Sequence, residues 1–309
     1  MTEDYDIVII GAGPAGLAAG LYAARARRKS IIVEKNVTGG QIALTSTVEN
    51  YPGIIEINGF DLGQAMLKQA ELHGLDTAYT AVNSIEPQDG FRIIRTDDGD
   101  YRAKAVILTG GADYNRIGVP GEERLTGFGV SYCGTCDAAF FKDMEVAVVG
   151  GGDAAMDESM FISRYASKVT VIHRRDELRA SKILQERAFA NPKISFIWNT
   201  VVTEVEGEKE VTSARLKNVV TGEESHLPVA AVFVFIGQTP NTSFLQGLVD
   251  LDEGGHILVD LWMETSAPGI YAAGDIRAQS ARQVVTGAGD GATAAIRADH
   301  YISNHFPAE

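Results

Sequence analysis

The sequence predicts an α/β protein in which one strand–turn–helix–strand unit is used twice. Asp6 to Ile10 (DIVII) is a short apolar run rich in β-branched residues, the pattern of a parallel strand buried on both faces. It leads directly into Gly11-Ala12-Gly13-Pro14-Ala15-Gly16. The same order returns when Glu145 to Val149 (EVAVV) leads into Gly150-Gly151-Gly152-Asp153-Ala154-Ala155. A helix then follows in each copy, over Leu17–Arg28 and Asp157–Tyr165, and a second strand, over Ser30–Val33 and Val169–Ile172.

Each position of the turn has a physical reason. The first glycine (Gly11, Gly150) permits the tight strand-to-helix reversal, and the second (Gly13, Gly152) lets a pyrophosphate approach the backbone. The third position, Gly16 or Ala155, lets helix and strand pack closely. Amides at the helix N-terminus then face the phosphates, where the macrodipole favours negative charge. The ends of the two copies differ. Glu34 closes the first, and a carboxylate there suits ribose hydroxyls and repels a 2′-phosphate. His173-Arg174-Arg175-Asp176-Glu177-Leu178-Arg179 closes the second, and guanidinium groups match phosphate in a planar, charge-assisted way. Copy one is therefore expected to take FAD and copy two NADPH. The bland alternative for the Arg cluster, a solvated helix start, opposes the helix dipole.

The bulk properties narrow the classes. The chain has 309 residues, 45% hydrophobic and 22% charged, as in an ordinary globular protein of two domains. A formal charge of −14 argues against nucleic acid as partner. No apolar run has the length of a membrane span, and Met1-Thr2-Glu3-Asp4-Tyr5-Asp6 lacks the basic start of a secretory signal. A cytoplasmic location is the expectation.

Two cysteines are present, in Ser131-Tyr132-Cys133-Gly134-Thr135-Cys136-Asp137. Four-coordinate zinc would need two further ligands, and His73, His173, His226, His256, His300 and His305 offer no pair at useful spacing nearby. A structural disulfide would close a very short loop and constrain little of the unfolded chain. Beside flavin and NADPH sites, a reversible dithiol is the economical assignment. Asp137 suits a proton donor to a leaving sulfur if burial raises its pKa; a turn or cap role fits equally.

These motifs together closely resemble the low-molecular-weight bacterial thioredoxin reductases, from about residue 4 to 300. GAGPAG with Glu34, Gly39-Gly40-Gln41, Val48 to Gly53, CGTCD, GGGDAA, HRRDELRA, Ile236 to Asn241, Gly269 to Ile276 and Arg282-Gln283-Val284 carry the resemblance. It implies two doubly wound Rossmann-like dinucleotide-binding domains, the second inserted into the first: an FAD-binding domain over 1–114 and 246–309, and an NADPH-binding domain over 115–245 that carries the CxxC. It also implies that Gly11, Gly13, Pro14, Ala15, Gly16, Glu34, Lys35, Gly40, Gln41, Asn50, Val82, Gly110, Gly274, Asp275, Arg282, Gln283 and Val284 line FAD. Gly150, Gly152, Asp153, Ala154, Ala155, His173, Arg174, Arg175 and Arg179 would line NADPH. Cys136 would be the sulfur nearest the flavin, Cys133 the attacker of the partner disulfide, and Asp137 the acid. A homodimer, thioredoxin or a thioredoxin-like partner, and rotation between two domain arrangements about Ile117–Gly121 and Gly237–Phe244 follow from the same resemblance.

In departure from the family, Ala138-Ala139 follow CxxCD where Gly and aromatics are common, leaving Phe140-Phe141 as partner contacts or as core. The larger disulfide reductases carry CxxxxC after the first glycine motif, where this chain has no cysteine. Related ferredoxin–NADP reductases lack the CxxC, and small-molecule dithiol oxidases of the superfamily lack the basic cluster. A flavin-based redox sensor, a reductase of another dithiol partner and a zinc module are the competing readings.

Overall fold

A computed structural model describes residues 2–45, 47–245 and 247–307. The chain forms two compact units, Met1–Asp113 with Thr239–Glu309, and Tyr114–Gln238. Residue 246, expected to mark the return to the first domain, lies outside the described residues. Just before it, Asn241 donates from its backbone N–H to Gly111 (3.0 Å) and from Nδ2 to the Gly110 carbonyl (2.9 Å), so the chain has rejoined the first unit there.

The first unit begins with β1 (Thr2–Ile10), α1 (Pro14–Arg25) and β2 (Ser30–Glu34). β1 starts earlier than its apolar run because Thr2–Tyr5 pair with Asp100–Ala103. α1 starts earlier than Leu17 because Pro14 stands at its first turn, where a missing N–H costs nothing. Then come α2 (Gly59–Glu71), β3 (Asp76–Tyr79), β4 (Val82–Gln88), β5 (Phe91–Thr96) and β6 (Asp100–Leu108). The sheet order is β3-β2-β1-β6-β5-β4, parallel from β3 to β6 and antiparallel through β5 and β4. Ile7 and Ile9 of β1 join one buried cluster and Val8 and Ile10 another, so the strand is covered on both faces.

β7 (Ala112–Tyr114) carries the chain out of this unit. In the second unit follow β8 (Val130–Ser131), α3 (Gly134–Asp137), β9 (Glu145–Gly150), α4 (Asp153–Ile162), β10 (Lys168–Ile172) and α5 (Lys182–Ala190). After these come β11 (Ile194–Ile197), β12 (Thr200–Glu206), β13 (Ser213–Asn218), β14 (Glu224–Pro228) and β15 (Ala231–Phe235). The parallel sheet is ordered β11-β10-β9-β15-β8. Val146, Val148 and Phe233 pack with Met156, Ile162, Leu184 and Ala188 from the helices. Ala147, Val232 and Val234 pack instead with Val202, Val205, Ala214 and Leu216. That second face is therefore covered by the antiparallel sheet β12-β13-β14 rather than by helices. β16 (Gln238–Pro240) leads the chain back, β17 (Ile270–Ala272) adds to the first sheet beside β6, and α6 (Val284–His305) closes the first unit.

α6 reaches the sheet by lying directly on α1. A Cβ built on Gly291 would overlap the Ala15 carbonyl and lie 3.1 Å from the Ala19 nitrogen. Gly291→Ala is expected to force the helices apart and cost about 1–3 kcal/mol in urea unfolding. Gly289, two residues earlier and facing open space, is the control: Gly289→Ala is expected to gain roughly 0.5–1 kcal/mol.

Candidate functional site

The first glycine turn is built by contact. Gly11 has φ +107°, and a Cβ there would lie 2.6 Å from the Thr109 carbonyl oxygen. A Cβ on Gly16 would overlap the Gly11 carbonyl, so only glycine lets α1 lie on the strand end. At Gly13 the situation is reversed: a Cβ would meet nothing within 4 Å. Gly13 is also the N-cap of α1, with no side chain capping the helix. The open backbone over uncapped amides fits a pyrophosphate. Glu34 is buried, its Oε2 accepting from the Ala12 N–H (2.7 Å) and its Oε1 from the Asn36 N–H (2.8 Å). Two backbone amides thus fix its carboxylate beside the turn.

Two other expected FAD residues, Gly40 and Gly274, lie against this turn. Gly40 approaches Gly13 so closely that its Cβ would lie 3.2 Å from the Gly13 Cα, and a Cβ on Gly274 would lie 2.9 Å from the Ala15 Cβ. Gly110 follows β6, and its Cβ would lie 3.5 Å from Ile276. Asp275 accepts from Ser280 Oγ (2.9 Å), which also accepts from the Arg282 N–H (3.1 Å). Burial pushes the Asp275 carboxyl up, opposed by that hydroxyl and by Arg282 and Arg277. Asn50 Nδ2 donates to Gln283 Oε1 (3.3 Å), and Gln283 caps α6, whose first residue is Val284, in a reciprocal box with Thr286. Gln41 Nε2 donates to Asp113 (2.9 Å). Lys35 is exposed, and Val82 opens the antiparallel β4–β5 pair and packs on the core.

The second turn repeats the first with one change. A Cβ on Gly150 would lie 2.7 Å from the Ala155 Cβ, so Ala155 is tolerated because Gly150 is bare. Gly152 is the N-cap of α4, again with no capping side chain, and a Cβ there would meet nothing within 4 Å. Next to it lies a cavity of about 470 Å³ lined by Gly150, Gly151, His173, Arg174, Arg116 and Phe235 among others. The basic segment folds as a loop, not as a helix start, and its Arg179 and Ala180 amides donate to the Gly151 carbonyl (2.7 and 3.1 Å). Arg174, Arg175 and Arg179 are exposed, and among the described residues none of them is ion-paired. His173 is buried against Gly151, and its Nε2 finds no partner among the described residues. Burial and then the three guanidiniums hold its pKa down. Uncapped amides, a cavity and unpaired guanidiniums fit a nucleotide with an additional phosphate. Asp153 Oδ1 accepts from the Ser181 N–H (2.6 Å), and Ala154 lies exposed in the first turn of α4.

Cys133 and Cys136 are joined as a disulfide with a Cα–Cα distance of 5.3 Å. No group of three or more metal-ligating side chains occurs among the described residues. The Cys136 N–H donates to Cys133 Sγ (3.2 Å) and Thr135 Oγ1 lies 3.4 Å from the same sulfur. Asp137 Oδ2 accepts from Ser131 Oγ (2.6 Å), and burial pushes its carboxyl up against that hydrogen bond. Of the two aromatics that follow, Phe141 packs edge-on against Phe233 in the core, whereas Phe140 is 44% exposed.

Sequence reasoning missed Ser131, which stood in the quoted motif without an assigned role. It also missed Asp290, whose carboxylate binds Arg277 (2.7 Å) and the Gly274 N–H (3.2 Å), and Glu158, whose carboxyl reaches the Gly134 turn. Neither carboxyl had a spacing signal.

The family model for pyridine nucleotide-disulphide oxidoreductases matches residues 5–292. The thioredoxin reductase of Peptoclostridium acidaminophilum is 47% identical, covering 99% of each chain. That of Bacillus subtilis is 46% identical over 98% of this chain and 96% of its own. The crystal structure of thioredoxin reductase from Streptococcus pyogenes superposes with a TM-score of 0.94 at 45% identity, covering 97% of this chain and 99% of that one.

The raised carboxyl of Asp137 has a consequence for stability. A carboxyl whose folded pKa lies above its unfolded value contributes most when protonated, and that contribution is lost as pH rises through the folded pKa. Asn cannot ionise and can still accept from Ser131. Asp137→Asn is therefore expected to raise the urea midpoint at pH 8 and to converge with the native protein toward pH 4.

Proposed function

The chain belongs to the pyridine nucleotide-disulphide oxidoreductase family, and we propose that it reduces the disulfide of thioredoxin at the expense of NADPH. It is an oxidoreductase that uses FAD and NADPH. The observation that carries the reading is the Cys133–Cys136 disulfide flanked by a protonatable Asp137. FAD, when bound, accepts a hydride from NADPH and can deliver an electron pair to a disulfide.

The residues divide the work. Gly11, Gly13 and the α1 amides hold the FAD pyrophosphate, and Glu34, fixed by two amides, takes the ribose hydroxyls. Gly150, Gly152 and the α4 amides hold the NADPH pyrophosphate, and Arg174, Arg175 and Arg179 take its 2′-phosphate. In the reduced pair, Cys133 as thiolate attacks one sulfur of the thioredoxin disulfide, forming a mixed disulfide. Asp137 gives its proton to the sulfur that leaves. Cys136, its proton passing back to Asp137, then attacks Cys133 Sγ, which restores the disulfide and releases the second thioredoxin sulfur as a thiolate that takes a proton from water. Phe140, exposed next to the pair, supplies apolar contact to that partner.

Both the disulfide and the second glycine turn belong to the unit Tyr114–Gln238. They serve the flavin in alternation, by rotation about the two chain crossings. Gly118, Gly121 and Gly237 have φ of +80°, +86° and +104°, conformations that favour glycine at such pivots. No helix among the described residues is long and apolar enough to cross a membrane. A homodimer in the cytoplasm completes the reading, on the family resemblance alone.

The test is turnover with NADPH and oxidised thioredoxin, counting thioredoxin thiols. Native protein is expected to generate them, and Cys136→Ser to generate none. Arg174→Ala with Arg175→Ala is expected to raise the KM for NADPH about ten- to a hundredfold, the loss of charged hydrogen bonds. Flavin bleaching by NADPH with thioredoxin left oxidised would move the search to another dithiol partner.

A further inference from the structure

Glu158 is a half-buried titratable group close to the CxxC segment that the steps above leave unused. It projects from α4, the helix of the second glycine turn, toward the backbone of α3. A Cβ built on Gly134 would overlap Glu158 Oε2 and lie 3.1 Å from Ile162 Cγ1, one turn further along α4. Glycine at the second position of the CxxC is thus what lets the carboxyl lie against the turn. The carboxyl lies against the Gly134 backbone, and Asp157 on the same helix acts on it as a like charge. Oε2 is itself buried with no hydrogen-bond partner among the described residues. Asp137 closes the other end of the four-residue segment and is held by Ser131.

An oxygen buried without a hydrogen-bond partner costs free energy, so some other contact must hold it in place. Here the fixing contact is the backbone between the two cysteines. We propose that Glu158 is a positioning residue of the redox pair, which clamps the Gly134–Thr135 backbone and whose negative charge opposes thiolate formation at Cys133 and Cys136. Burial pushes the Glu158 carboxyl up, against the polar backbone of Gly134 and Thr135, so a desolvated charge is set against this turn. Reducing the disulfide adds two electrons and, as each thiol ionises, negative charge next to that carboxyl. A charge there raises the pKa of the thiols and disfavours the reduced form, the reverse of what a neighbouring cation does.

The inference rests on Cys133–Cys136 being a reversible pair, and a thiol measurement separates the two claims. FAD-loaded protein is equilibrated in dithiothreitol buffers of graded oxidation, quenched by alkylation and counted for thiols by mass. Iodoacetamide labelling of the reduced protein is followed against pH. Glu158→Gln, which keeps shape and acceptor but removes the charge, is expected to speed labelling at pH 7 about three- to tenfold by lowering the thiol pKa. It is also expected to shift the dithiol–disulfide equilibrium toward dithiol up to about tenfold, or about 30 mV. Labelling and equilibrium within twofold of native, in a variant with native FAD content, would overturn the proposal. If Glu158→Gln fails to fold, Gly134→Ala decides in its place. Its methyl group must push the carboxyl off the turn and is expected to move both readouts in the same direction; no movement overturns the proposal. A pair in the native protein that dithiothreitol cannot reduce would instead refute the functional reading itself.

Discussion

Both halves of the molecule depend on how closely a helix can be laid against the end of a strand. In the first turn the approach is so close that a Cβ at the third position would overlap the Gly11 carbonyl. In the second the helix stands back just enough for Ala155, and the room comes from the missing side chain of Gly150. In each copy this contact aims uncapped helix amides over open backbone at Gly13 or Gly152. Every assignment of a phosphate to the structure follows from that geometry. In the proposed reading, Glu34 at the end of the second strand of the first unit, and the arginines that follow His173 in the second, set which nucleotide each turn prefers.

Burial does the chemical tuning around these turns. It raises the carboxyls of Asp137, Asp275 and Glu158 and lowers the imidazole of His173, in each case as the largest cause. The four groups occupy different surroundings, which gives them different uses. Asp137 has one hydroxyl donor and follows Cys136 directly in the chain, which suits the proton donor proposed above. Asp275 has a hydroxyl and two arginines that oppose the upward push of burial, while Asp290 adds to that push. The pKa of His173 is held down first by burial and then by the three guanidiniums near it, which disfavours a charge on its ring beside the arginines.

Much of this was legible in the sequence because it is local. A β-branched run, a glycine turn and an acidic or basic end lie within a few tens of residues, and the CxxCD motif is contiguous. What was not legible depends on distant segments meeting. Thr2–Tyr5 became strand only because Asp100–Ala103 lay beside it. The face of β9 expected under helices is covered by β12 to β14, whose alternating pattern does not announce the face it will meet. Asp153 looked like part of the nucleotide turn and is engaged by Ser181. Gln283, expected along the flavin, also caps α6. Ser131 sat within the motif, but only the fold shows that its hydroxyl is given to Asp137.

The central claim is that reducing power from NADPH comes to rest as thiols on Cys133 and Cys136. An anaerobic NADPH titration of FAD-loaded protein, without thioredoxin, tests it directly if both cysteines are counted by alkylation and mass at each step. About two equivalents of NADPH should be consumed per chain, one for the flavin and one for the disulfide, with both cysteines becoming alkylated. Consumption that stops at about one equivalent, with the disulfide intact, would contradict the claim.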